Sequence, residues 1–450
     1  MQNDKRLLLR GLAFLIVLGL VIWGLQGIFG LDSIRSYENE KGYLRESDGS
    51  LDAVYVGGSD VHAFWQPLFG WNERGIAVWN YSIDSLPMSA VKYLVIEARK
   101  TQPDALMIVS LSTFKKAGAA DGMVDIHRIV DYQPFSANKV RLVDRLTEGT
   151  EYTGLDKLEF YFPIIRFHSR WDSLGNWVFG DIERDYKASM HTSTFRNTVV
   201  DLSRSFKLYD ERAELPEDVE TAINDLLDYC DAEQVRVLFV KVPQAAAQAD
   251  QARMNTLEEL VAERGYPCLD LLEHYEDLGL DLRNDYYNKF HTNVHGSLKY
   301  TRGLAAYLAE QYGFADKRGQ AGWESWDAAA AEYRSYMSYV ALPFEFEDEP
   351  RDFALSAPKL NKASAKGRTI SLSWSASEQA EGYEIYRLTV GEGNRWELLS
   401  AVDAESLTYA DRDLDAETTY FYTVVPCRET AEGTVRGNFA VRGLSATTGR

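Results

Sequence analysis

Five short apolar runs separated by helical patterns constrain this chain more than anything else in it. Ala53–Val56, Ile76–Ile83, Ala105–Leu111, Val235–Val242 and Cys268–Leu272 read as strands, and Pro243 stops the fourth. Met88–Arg99, Gln248–Arg264 and Ser297–Tyr312 read as helices, with Gly265 as the C-cap of the second. Such β–α alternation predicts an α/β fold: a parallel, flavodoxin-like sheet between two helical layers, with ligands bound at the carboxyl ends of the strands.

Two loops at such ends carry chemistry-bearing residues. Val54-Tyr55-Val56 runs into Gly57-Gly58-Ser59-Asp60. Glycines let the backbone turn sharply, and a serine on that turn exposes its hydroxyl. Far downstream, Asp285-Tyr286-Tyr287-Asn288-Lys289-Phe290-His291-Thr292-Asn293-Val294-His295-Gly296 precedes the last helix. A histidine on a late loop can reach across the sheet and take the serine proton. Ser59 is therefore the candidate nucleophile and His291 the candidate base. The structural alternative for Ser59 is a helix cap. His291 and His295 with Asp285 also invite a zinc reading, but the spacing lacks the glutamate of a zincin and precedes a helix instead of lying on one. No metal and no cofactor is expected.

These two blocks, in this order, resemble the SGNH (GDSL-like) hydrolases, over about residues 50–315. The membrane-anchored bacterial envelope members are most similar, on Asp285 to Asn288, His291, Asn293, Gly296, Lys299 and Thr301. The resemblance implies a serine esterase or O-acyltransferase acting on a cell-envelope polymer such as a glycan. It also implies an aspartate three residues before the histidine, where this chain has Asn288. Asparagine orients the ring without offsetting its charge, and Asp285 or a backbone carbonyl could take over. For the oxyanion, the family block reads here Asn80-Tyr81-Ser82-Ile83-Asp84-Ser85, so the donors implied are the Ser59 and Ser85 N–H groups. The family's third-block asparagine has no counterpart in Ser110-Leu111-Ser112-Thr113. These departures support the rival expectation: a non-catalytic envelope-binding or assembly protein on a degenerate SGNH fold.

Residues 1–31 carry a different constraint. Gly11 to Leu31 is an uncharged, mostly apolar run of 21 residues, against roughly 20 needed to span a bilayer. Lys5, Arg6 and Arg10 precede it and Asp32 follows, which predicts a retained anchor with a cytoplasmic N-terminus and the bulk of the chain outside. A cleaved signal peptide is the alternative. A net charge of −20 argues against nucleic-acid binding, which requires a basic surface. Three cysteines, Cys230, Cys268 and Cys427, make no disulfide framework, and the first two read as small buried hydrophobes.

About residues 114–214 interrupt the β–α rhythm. They carry Phe160, Tyr161, Phe162, Arg166, Phe167, His168, Arg170, Trp171 and Trp177, which read as a lid or substrate rim, or as the core of a helical subdomain. Residues 316–353 read as a linker, ending in the acidic run Pro343 to Pro350. Residues 354–450 resemble a fibronectin type III domain. The resemblance lies in Ile370-Ser371-Leu372-Ser373-Trp374 with its core tryptophan, in Gly382 to Arg387, and in Leu414 and Tyr420 at tyrosine-corner spacing.

Overall fold

The computed structural model describes residues 2–29, 42–115, 122–131, 133–167, 200–283, 285–340, 355–389, 396–431, 433–437, 439 and 443–449. Helix α1 (Gln2–Phe29) is followed by β1 (Ala53–Gly57), α2 (Ser59–Phe64), α3 (Pro67–Arg74), β2 (Val78–Ser82), α4 (Met88–Arg99) and β3 (Leu106–Ser110). A 3-10 turn, Leu111–Phe114, closes β3. Next come α5 (Met123–Val130), α6 (Ala137–Leu146), α7 (Lys157–Tyr161), α8 (Pro163–Phe167), α9 (Glu217–Ala232), β4 (Val237–Lys241), α10 (Gln248–Glu263) and β5 (Cys268–Asp270). A hairpin of β6 (Tyr286–Asn288) and β7 (His291–Thr292) leads into α11 (Val294–Tyr312), and α12 (Glu324–Val340) follows.

Strands β1 to β5 form one parallel sheet in the order β2-β1-β3-β4-β5, with Val54 opposite Trp79 and Met107. Every residue of β1 to β4 is buried, as expected when helices cover both faces. The two-residue side-chain period sends Val54 and Val56 into one core and Ala53 and Tyr55 into the other. Helix α4 presents Val91, Leu94, Val95 and Ala98 to the first core. Helix α11 presents Tyr300, Leu304 and Leu308 to the second. Because β1 lies between β2 and β3, the chain reverses direction across the sheet there, and a crevice opens at the carboxyl ends.

The segment 316–353, expected to be a linker, is in part core. Trp326, Ala329, Ala330 and Tyr333 of α12 are buried, and the Trp326 ring lies 5.2 Å from Trp71 of α3. Trp71 Nε1 donates to Asp327 Oδ1 at 3.0 Å and Trp326 Nε1 to Glu46 Oε2 at 3.1 Å. The acidic run Pro343–Pro350 lies outside the described residues. Of the insertion, Phe160 is fully buried beside His127, Arg166 bonds Asp131, and His168, Arg170, Trp171 and Trp177 lie outside the described residues. Helix α1 is 28 residues long, and Leu7, Leu9, Leu12 and Phe14 on it are exposed. Among the described residues no helix is long and apolar enough to cross a membrane.

The C-terminal part is an antiparallel sandwich. Strands β8 (Leu360–Lys366), β9 (Thr369–Trp374), β10 (Gly382–Thr389), β11 (Trp396–Asp403), β12 (Thr408–Asp411), β13 (Thr419–Thr430), β14 (Gly433–Arg436) and β15 (Leu444–Thr447) make two sheets. One runs β12-β9-β8; the other runs β11-β10-β13-β14, with β15 also on β13. Trp374, Leu414, Tyr420, Tyr422 and Val424 fill the space between them. Tyr420 OH accepts the Asp415 N–H at 3.0 Å, tying the crossing between sheets to the backbone.

Candidate active site

The turn after β1 is built by close approach. A Cβ on Gly57 would lie 2.5 Å from Val61 Cγ2 and 3.1 Å from Ser110 Cβ, so only glycine lets β1 pass into α2 there. Gly58 caps α2 from an extended conformation, which starts the helix at Ser59. On the other side, Asn293 Oδ1 accepts the N–H groups of His295 (3.0 Å) and Gly296 (3.2 Å), capping α11. Thr292 Oγ1 donates to Ala63 O at 2.6 Å, stitching the β6–β7 hairpin to α2. These two anchored turns set Ser59 and His291 face to face.

Ser59 Oγ lies 2.9 Å from His291 Nε2, across 232 positions of sequence. His291 Nδ1 lies 3.0 Å from Asn288 Oδ1, which also accepts the Phe290 N–H at 2.8 Å. A backbone N–H only donates, so it is the amide oxygen that faces both groups. The proton of neutral His291 therefore sits on Nδ1, and Nε2 is left to accept from Ser59. Burial pushes the His291 pKa below its ordinary value; Asp60 opposes this, Lys115 adds to it and Asp84 opposes it. The ring is thus neutral near pH 7, as a base must be. Tyr287 stacks on it at 5.4 Å and 9°.

Asp285 does not reach this chain of bonds. It is 1% exposed, accepts the Asp281 N–H at 2.6 Å, and pairs with Lys299 at 3.0 Å. Its carbonyl accepts the Asn293 N–H at 2.8 Å. A Cβ on Gly296 would meet that carbonyl oxygen at 2.3 Å, so the glycine is needed for the hairpin to lie on α11. Asp285 thus holds the hairpin in place, and the partner of Nδ1 is Asn288. His295 sits in the first turn of α11. Among the described residues, no three His, Cys, Asp or Glu side chains are placed to hold a metal ion.

Ser85 is exposed, on a turn where the Ile83 N–H bonds Gly57 O at 3.1 Å. Its φ of 58° is left-handed, a conformation that favours glycine. Of the hydroxyls at and just beyond the end of β3, Ser110 donates to Asp60 and Ser112 lies 3.7 Å from Met254 Sδ. Thr113 Oγ1 is buried near Gly57 with no hydrogen-bond partner among the described residues.

Two neighbours are not evident from sequence. Asp60, directly after Ser59, is 6% exposed. His62, one residue pair further along α2, bonds Ser82 Oγ at 3.4 Å and Asp84 Oδ1 at 3.1 Å. Both sit in a helix of six residues, too short to show its period; the only signal was their nearness to Ser59. A polar cleft of about 230 Å³ lies elsewhere, around Tyr209, Arg212, Lys241 and Glu258. Its buried Lys241 is tied to Asn255, Glu258 and Asp270, which locks β4, β5 and α10 together.

No family model matches this chain, and no curated protein matches it. Among solved structures, the fifth fibronectin type III domain of Drosophila Lar is 22% identical over 21% of this chain and 98% of that one, with a TM-score of 0.18. A fibronectin type III domain of human collagen XX is 21% identical over 22% and 97%, with a TM-score of 0.17. A β-1,2-glucanase from Parabacteroides distasonis is 25% identical over 21% of this chain and 13% of that one, with a TM-score of 0.18. The class that fold and site define is a parallel α/β domain with a serine–histidine pair beyond the carboxyl end of β1, followed by an antiparallel β-sandwich. The sandwich is fibronectin type III-like by its own construction, three strands against five with a tyrosine tying the crossing.

Proposed function

We propose that the α/β domain is an SGNH-type serine esterase or O-acyltransferase, tethered to a membrane through the apolar run Gly11 to Leu31 and acting outside the cytoplasm on a cell-envelope polymer such as a glycan. The observation that carries the chemistry is the hydrogen-bonded series Ser59 Oγ, His291 Nε2, His291 Nδ1, Asn288 Oδ1. Ser59 Oγ attacks the ester carbonyl and passes its proton to Nε2, while the carbonyl π electrons move to oxygen. The N–H groups of Ser59 and Ser85 would stabilise that oxyanion. When the C–O bond breaks, His291 returns the proton to the leaving alkoxide, leaving an acyl-serine. Water or a sugar hydroxyl, deprotonated by the same ring, then attacks the acyl carbon; the Ser59 Oγ–acyl bond breaks and Oγ takes the proton back from His291.

The tether reading is supported by the apolar run Gly11 to Leu31 and by the apolar side chains exposed along α1. Protease added to intact cells should degrade the bulk of the chain, and complete protection would remove the outward orientation. For the chemistry, a fluorophosphonate probe should modify the parent at Ser59 and leave Ser59→Ala unlabelled. The neutral Asn288 favours a second reading, a binding or assembly protein on an inactive hydrolase fold. That reading predicts no labelling in the parent.

A further inference from the structure

We infer that the third member of the catalytic group is divided between two residues: Asn288 orients His291, and Asp60 supplies the negative charge that offsets its imidazolium. This rests on the serine-hydrolase reading above. When Ser59 Oγ bonds to the acyl carbon, its proton forms a cation on His291, and an amide oxygen on Nδ1 carries no charge to balance it. Asp60 is a buried carboxylate one residue from Ser59, the group that bonds His291 Nε2. It follows Ser59 in the first turn of α2 and is 6% exposed. Its Oδ2 accepts the Ser110 hydroxyl from the end of β3, and its Oδ1 lies 3.0 Å from the point a Cβ on Gly58 would occupy. The Ser110 bond therefore holds the carboxylate beside the nucleophile turn, in space that the missing Cβ of Gly58 leaves open.

The other groups around the ring do not serve as well. Asp84, on the turn after β2, has a side chain 46% exposed and is paired to His62. Lys115, beyond the 3-10 turn, bonds Gln244, lies 5.2 Å from the Phe290 ring centroid and opposes a cation. The hairpin itself contributes the Tyr287 and Phe290 rings. Behind it, the Asp285 charge is matched by Lys299. Field strength grows as solvent is excluded, so a buried carboxylate outweighs an exposed one at similar reach. Among the charges acting on the His291 pKa, Asp60 has the largest influence, in the upward direction.

The test uses the full chain, with histidine ring NMR titration and the pH dependence of fluorophosphonate labelling. Asp60→Asn should lower the His291 pKa, move the acidic limb of the labelling profile to lower pH, and slow labelling about tenfold or more. Adding Asn288→Asp to that variant should restore both pKa and rate. Ser110→Ala removes the hydrogen bond and keeps the charge, so it should leave the His291 titration near that of the parent. An unmoved His291 titration in Asp60→Asn overturns the inference. So does a Ser110→Ala variant that reproduces the Asp60→Asn loss, since the role would then be structural. If the parent is never labelled at Ser59 but the titration still responds to Asp60, the hydrolase reading fails while the charge pairing stands.

Discussion

Asn288 is held by two donors, the Phe290 N–H and the His291 Nδ1–H, and an aspartate of the same shape would accept both. Asn288→Asp should therefore keep the geometry and add a charge beside the ring. In the serine proteases the reverse change costs about 10⁴-fold in rate, so the variant should label faster, by an amount short of that. The sign in pH is fixed: a carboxylate on Nδ1 raises the His291 pKa, and the acidic limb of the profile should move to higher pH. Asp285→Asn should behave differently, because Asp285 touches Lys299 and not His291. We expect it to lower unfolding free energy by about 1.5–3 kcal/mol, the range for a hydrogen bond to a charged group, with an unchanged His291 titration. Ser85 offers a gain. At a φ of 58° a Cβ costs about 1 kcal/mol, so Ser85→Gly should raise the denaturation midpoint.

At the scale of elements, α12 makes the clearest prediction. Trp326 is fully buried against Trp71 and Trp79, so Trp326→Ala should cost the α/β domain about 3–5 kcal/mol in denaturant unfolding. A cost below about 0.5 kcal/mol would place the helix outside the cooperative unit. This helix was not legible in the sequence. Its alanines, and tryptophans just past an end of the α/β pattern, look like a spacer until Trp71, Glu46 and Gln66 are brought against them, and those partners lie some 255 to 280 positions away. The central strands were legible because burial on both faces leaves unbroken apolar runs. Ser59 was legible because it follows such a run, and His291 because it lies in the Asp285 to Gly296 block ahead of the last helix. The role of Asp285 was not, since a carboxylate six residues from a histidine can face it or the helix that follows, and only the close approach of Gly296 decides.

The whole molecule joins two domains of different kind. The sandwich has its own closed interior around Trp374 and Tyr420, so residues 355–449 should unfold cooperatively as an isolated fragment. Trp374→Ala should remove about 3–5 kcal/mol of that stability. A fragment that melts without a cooperative transition would show that the sandwich depends on the rest of the chain.

The distance in sequence between Ser59 and its base also has a consequence in time. The serine is among the first residues of its domain to be synthesised and the histidine follows 232 positions later, a lag on the order of tens of seconds at ribosomal speeds. Until the hairpin carrying His291 closes on α2, the hydroxyl is an ordinary alcohol. On the serine-hydrolase reading, the α/β domain stays unreactive until this late hairpin closes, while α12 and the sandwich are still to be made.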